Sequence, residues 1–364
     1  MLLIRGLPID DPLPPTADSG YLHGSWKEVA VSTITQLMIA TSQALTPSRI
    51  VTLEVTPLFP EIVSPPDSVT DLASHLESRR EHIDLMLGDA GAVLFRGFPV
   101  RTAEDFQAAV RTSSPELLSY TYRSSPRTRE IAGVYTSTEY PSAEEIPMHN
   151  ENSYAHAWPL RIWFYCHQPA TAGGATPIAD SRSVARRLDP ALVKRFADLG
   201  VMYVRNYRKG VDLPWQEVFQ TDDKAEVQRF CDEAHITCEW RGEELRTRQV
   251  CQGVATHPRT GAVAWFNQAH LFHPTALRER VRKTLFDLFG QEGLPRYACY
   301  GDGSPIADED LAAIRDAYQA EMVNVAWEQG DVLVLDNMLV AHGRRPFTPP
   351  RRILVAMTDS FQPS

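Results

Sequence analysis

His149-Asn150-Glu151 places an imidazole and a carboxylate two residues apart, and on an extended backbone positions i and i+2 point to the same face. Both side chains can then reach one metal ion. Pro147 just before and the polar run Asn150 to Ser153 just after read as a strand end opening into a loop, where such a site stays accessible. A second histidine would complete a set of two imidazoles and one carboxylate. That set leaves one face of an octahedral iron(II) open for a bidentate co-substrate and dioxygen.

His82-Ile83-Asp84 repeats the spacing, but it falls in a stretch where Val69, Leu72, Leu76, Ile83, Leu85 and Leu87 sit among charges as on an amphipathic helix. Residues two apart on a helix point to nearly opposite sides, so this pair reads as solvated helix surface. For the third ligand, His342, His270, His273 and the remaining histidines compete. His342 follows the strand-like run 331–335 and the pair Asp336-Asn337, and precedes Gly343 and, after a Pro-rich turn, Arg351-Arg352. A guanidinium binds a carboxylate through two parallel hydrogen bonds, so an Arg on the next strand suits an acidic co-substrate. His270 and His273, in WFNQAHLFHP, have no such downstream Arg and read as a turn or helix start beside the pocket. Trp265, Phe266 and Asn267, with Asn152, are candidate substrate residues, although core packing accounts for Trp265 and Phe266 about as well.

These residues need a scaffold of short strands. AVLFRGF, IWFYC after Arg161, and stretches near 201–205, 250–256, 262–267, 331–335 and 352–357 read as strands. Helical patterns occupy 68–87, 102–110, about 190–199, 224–234, 275–289 and 308–319, with Thr102 a candidate N-cap and Asp105 three residues on. Many short strands interrupted by a few helices point to an antiparallel double-sheet barrel with helical insertions. We divide the chain into an N-terminal extension of unknown role, 1–65, and one enlarged domain, 66–364. The segment Leu2 to Ile9 resembles Val93 to Val100, each a short apolar piece ended by Arg-Gly and Pro, which chance accounts for better than duplication.

A chain of 364 residues, 43% hydrophobic and 23% charged, has ample material for a core. Its net charge of -10 argues against nucleic acid or an anionic membrane, which reward clustered Lys and Arg, and favours a small organic substrate. The N-terminus carries no secretory signal pattern, and no apolar run is long enough to span a bilayer. Five cysteines without a C-x-x-C pair indicate neither a disulfide framework nor a structural zinc site, so the expected compartment is the cytoplasm. Cys166 and Cys231 read as buried small hydrophobes.

GDVLVLDNMLVAHGRRPFTPPRRILVAM, MHNENS, GGATPIADSR and WFNQAHLFH, in their order along the chain, resemble the taurine dioxygenase and clavaminate synthase-like family, especially members from peptide natural-product pathways. The likeness runs from about residue 90 to the C-terminus. It implies a double-stranded β-helix (a cupin-like jelly roll), Fe(II) held by His149, Glu151 and His342, and 2-oxoglutarate as co-substrate. The distal carboxylate of 2-oxoglutarate would pair with Arg352 and accept a hydrogen bond from Thr176, with Arg351 as the alternative anchor. Four residues beyond Arg352, where sulfonate-binding members carry a second Arg, this chain has Ala356. Halogenating relatives replace the carboxylate ligand by a small residue, so Glu151 favours hydroxylation. The implied activity is a dioxygenase that hydroxylates an amino acid, free or tethered to a carrier protein, for which Arg182, Arg186 and Arg187 are a candidate basic patch. The rivals are a cupin-like hydrolase or isomerase using the same ligands with another metal, and a non-catalytic binding protein keeping the fold.

Overall fold

The computed structural model describes residues 59–66, 71–119, 128–138 and 140–363. Along the first half of the chain run strands β1 (Glu61–Val63), β2 (Ala92–Phe95), β3 (Arg129–Ile131), β4 (Val134–Thr136), β5 (Ile146–His149), β6 (Trp158–Gln168), β7 (Ala172–Gly173) and β8 (Thr176–Asp180). An inserted region follows, with β9 (Val201–Tyr207), β10 (Thr237–Arg241), β11 (Glu244–Cys251), β12 (Val254–Thr256), β13 (Val263–Trp265) and β14 (Arg296–Tyr300). The chain then returns through β15 (Val323–Val325), β16 (Val332–Asp336), β17 (Val340–Arg344), β18 (Phe347–Thr348) and β19 (Arg352–Phe361).

Period-two alternation sorts these strands into layers. A seven-stranded sheet, β1-β2-β16-β6-β19-β4-β3, turns Val93, Phe95, Trp163, Val334 and Leu354 to one side. There they pack on Leu72, Leu76, Ile83 and Phe106 of three helices, Leu72–Ser78, Arg80–Ala90 and Ala103–Ser113. The alternate residues, Leu94, Ile162, Phe164, Leu333, Ile353 and Val355, face Ile178 and Val340 of a four-stranded sheet, β15-β8-β17-β5. The second sheet turns Met148, Ala179 and Ala341 outward onto the helices and hairpin of the inserted region. Strands covered on both faces lose the apolar-polar alternation that marks a half-exposed strand.

The helix anticipated over 68–87 is two helices. Asp71 caps the first, its carboxylate accepting from Ser74 N at 2.8 Å, and Arg79 (φ -124°) ends it and starts the second. The second helix carries His82 and Asp84, Asp84 pairs with Arg161 at 2.6 Å, and neither belongs to the metal-capable group found among the described residues. Thr102 and Asp105 form a reciprocal capping box at the head of Ala103–Ser113, an arrangement in which the N-cap alone is worth about 1 kcal/mol. Cys166 and Cys231 are buried among apolar side chains. β1, which falls within the stretch 1–65, pairs in parallel with β2. The segment Leu2 to Ile9 lies outside the described residues. No helix among the described residues is long and apolar enough to cross a membrane.

Candidate metal centre and co-substrate pocket

β17 is the spine of the site. It lies between β8 and β5, with His342 opposite His149 on one side and Ile178 on the other. Val340, His342 and Arg344 share the inward face. On β5 the register shifts between the pairs His342↔His149 and Arg344↔Ile146, so one residue more is spanned on β5 than on β17. This bulge lets both Ile146 and His149 line the inner cleft, which strict alternation would forbid. Glu151 lies in the turn after β5, not on an extended strand, yet ligand atoms of His149, Glu151 and His342 all fall within 4.8 Å of one another. They are the one such group of metal-capable side chains found among the described residues.

The protonation of His149 follows from its partner. Nδ1 lies 2.8 Å from the Pro147 carbonyl, which can only accept, so Nδ1 carries the hydrogen and Nε2 keeps its lone pair for a metal. Phe164 packs edge-on against His342, with ring centroids 5.2 Å apart, and restricts its rotation.

A cleft of about 390 Å³, open mouth included, is lined by His149 and His342 of the triad together with Thr176, Arg344, Arg351, Ile353 and Val355. Trp327 Nε1 donates to Thr176 Oγ at 3.0 Å, leaving the hydroxyl hydrogen for an acceptor in the cleft. Arg351 Nε donates to the Gly174 carbonyl at 3.0 Å. A Cβ on Gly174 would come within 3.0 Å of Arg351 Cδ, so the absence of a side chain there makes room for the guanidinium. Burial, and to a lesser degree neighbouring Arg344, pushes Arg351 down to about 10, so it stays cationic at neutral pH. Arg344 turns its guanidinium to the carbonyls of Tyr140, Pro141 and Glu144, and no carboxylate is among the described residues that line the cleft.

The cleft takes in Arg351 and not Arg352, the arginine expected to anchor 2-oxoglutarate. Arg352 opens β19 where the register with β6 shifts before Ile353, it is absent from the lining of the cleft, and its guanidinium pairs with Glu130. Arg351, just ahead of β19, lines the cleft together with Ile353 and Val355. Counted from Arg351, the residue four positions on is Val355, not Ala356, and it too is apolar.

The candidate substrate residues on the inserted region do not line the cleft either. Trp265 packs on Phe196 (4.7 Å between centroids) and Phe266 on Trp158 (4.8 Å). Asn267 is fully buried, donating to the Gly253 carbonyl and accepting from Ala269 N, which makes it a turn-forming residue. Asn152 (φ 56°) sits in the turn beyond Glu151, with Tyr154 Oη 3.4 Å from its Oδ1. His270 donates Nε2–H to the Met148 carbonyl at 3.0 Å, and His273 accepts from Thr275 N. The first bond supports β5 behind the site, and the second is local to the turn that His273 begins. The anticipated basic patch is largely neutralised, since Arg182 pairs with Asp180 and Arg187 with Glu321. Arg344 was not anticipated; the signal was its position two residues after His342, on the same face of a strand.

The family described as taurine catabolism dioxygenase TauD, TfdA matches residues 54–358. A dapdiamide synthesis protein, DdaC, of Enterobacter agglomerans is 45% identical over 284 residues, covering 78% of this chain and 86% of the relative. A clavaminate synthase-like protein of Arabidopsis thaliana is 30% identical over 319 residues, covering 82% and 93%. Among solved structures, PvcB of Pseudomonas aeruginosa matches with a TM-score of 0.50 at 16% identity, over 83% of this chain and 86% of that one, a likeness of fold.

Proposed function

The chain belongs to the TauD/TfdA dioxygenase family, and from that premise we propose that it hydroxylates an amino acid, free or carried as a thioester on a carrier protein, in the biosynthesis of a peptide natural product. It is an iron(II)- and 2-oxoglutarate-dependent dioxygenase acting on a small molecule and dioxygen. Held by His149, Glu151 and His342, iron with 2-oxoglutarate would supply the oxidising power, dioxygen giving one atom to succinate and one to the substrate C–H as carbon dioxide leaves.

One observation carries the reading: His149 and His342, grouped with Glu151, line the same cleft as Arg351 and the Thr176 hydroxyl. In this reading the three side chains hold the metal. Arg351 pairs with the distal carboxylate of 2-oxoglutarate, and Thr176, its oxygen already engaged by Trp327, donates to the same group. Phe164, Ile353 and Val355 give the cleft apolar walls. The two facing sheets would form the wall of a double-stranded β-helix, with residues ahead of β1 as an extension of unassigned role.

Two side chains narrow the outcome. Glu151 retains the carboxylate that halogenating relatives lack. Val355, four residues beyond the proposed anchor Arg351, lines the cleft without a charge, which argues against a sulfonate. The name of the relative DdaC, a dapdiamide synthesis protein, supports a biosynthetic setting. A cupin-like hydrolase or isomerase would use the same three donors without Arg351 and Thr176. Anaerobic reconstitution with Fe(II) and 2-oxoglutarate, followed by labelled dioxygen and a panel of free and carrier-loaded amino acids, tests the proposal. Succinate should form in step with a product heavier by one oxygen. Release of a sulfonate, a chlorinated product in chloride, or turnover without dioxygen would overturn it.

A further inference from the structure

Glu151 lies in a turn, where no strand ladder fixes its backbone. One side chain does so instead. Asn337 Oδ1 accepts from Glu151 N at 2.7 Å, and Asn337 Nδ2 donates to the Glu151 carbonyl at 2.9 Å. The other hydrogen of that amide goes to the Pro159 carbonyl, also at 2.9 Å. The Asn337 amide thus pairs with Glu151 as the peptide of a neighbouring strand would. Its own backbone is held as firmly, since its N–H donates to the Leu160 carbonyl at 2.8 Å and its carbonyl accepts from Asn150 Nδ2 at 2.7 Å. Asn337 and Asn150 are both fully buried, so water does not compete for these bonds. Asn337 stands in the turn between β16 and β17, and β17 carries His342. A single side chain therefore ties the backbone of one donor to the strand of another.

We propose that Asn337 is the positioning residue that sets Glu151 against His342 and so prearranges the metal site before an ion arrives. The inference rests on the reading of Glu151 as a metal ligand. Ser181 and Gln268 bond to Asn150 and not to Glu151, so their loss leaves the Glu151 backbone bonds in place. Loss of the Asn337 amide strands a buried N–H and carbonyl of Glu151, and the turn must move to satisfy them.

Anaerobic titration with Co(II), followed by its visible ligand-field absorption, tests the proposal. Asn337→Ala should bind Co(II) roughly 10- to 100-fold more weakly, the usual effect of removing a ligand's supporting partner, and with an altered spectrum. Gln268→Ala should keep both affinity and spectrum. Glu151→Ala separates the two levels: binding as tight as that of the unaltered protein would remove Glu151 as a ligand. If Glu151→Ala loses the ion while Asn337→Ala keeps affinity and spectrum, the positioning role alone is overturned. A measurement on the unaltered, metal-free protein does not depend on any variant folding. The Glu151 amide should be protected from hydrogen exchange like the ladder amides of β17, and exchange at the rate of an open loop would equally overturn the role.

Discussion

At the metal, the Pro147 carbonyl decides which nitrogen of His149 is available, and residues such as this give the sharpest predictions. Protein reconstituted anaerobically with Fe(II) and 2-oxoglutarate should show a weak visible charge-transfer band. His342→Ala should abolish it. His270→Ala should keep it, because His270 holds the Met148 carbonyl behind the site and takes no part in the donor triad. The reverse pattern in absorption spectra would exchange their roles. Arg351→Ala leaves a carboxylate in a desolvated cleft without its partner, typically a loss of roughly 3 to 5 kcal/mol, so the apparent 2-oxoglutarate requirement should rise by orders of magnitude. Arg352→Ala removes only a partly exposed pair with Glu130, worth up to about 1 kcal/mol, and steady-state titration should find little change. The triad was legible because His149 and Glu151 are close in the chain and the resemblance around His342 supplied the third donor, although Glu151 reaches the group from a turn and not from the extended strand the spacing suggested. The choice between the two arginines was not, because β19 is covered on both faces and its alternating residues are all apolar from Ile353 to Met357.

Among the elements, the close pairing of β17 with β5 carries the most consequence. A Cβ on Gly343 would lie 2.5 Å from the Ile146 carbonyl oxygen. Gly343→Ala should therefore push the two strands apart and separate His342 from His149. We expect a stability loss of about 1 to 3 kcal/mol, as for other overpacked sites, read from denaturant unfolding. Co(II) titration should show weaker binding in the same variant, by about tenfold or more. Unchanged metal affinity despite lowered stability would mean that the strands can part without moving the ligands. The capped helix Ala103–Ser113 and most strands could be read from local pattern, since caps and β-branched runs act over a few residues. The bulge on β5 could not, because it is set by which strand lies opposite. Trp265, Phe266 and Asn267 misled for a related reason: an aromatic-polar strand looks alike whether it lines a cleft or packs beneath one.

For the whole molecule, buried histidines make stability depend on pH. Burial holds His270 down to about 3 and His273 to about 4, against an ordinary value of 6.5. The folded protein keeps these rings neutral while the unfolded chain takes up protons below about 6.5. Stability should thus be intact above that pH and fall as the pH drops toward 4, each such ring costing up to about 1.4 kcal/mol per pH unit. His270→Gln, which keeps an N–H donor but does not titrate, should move the acid unfolding midpoint, followed by circular dichroism, to lower pH. A midpoint that did not move would assign the acid transition to other groups. A different consequence follows from the position of the inserted region in the chain. His149, Glu151 and Thr176 precede it, while His342 and Arg351 follow it. Between them, the β10–β11 hairpin turns at exposed Gly242, where an added Cβ meets nothing within 4 Å. A cut there would leave two fragments, each holding part of the donor set and neither able to bind iron as the intact chain does. They could rejoin along β6, which lies between β16 and β19. Metal binding would then report on complementation of two polypeptides, rising with the concentration of each.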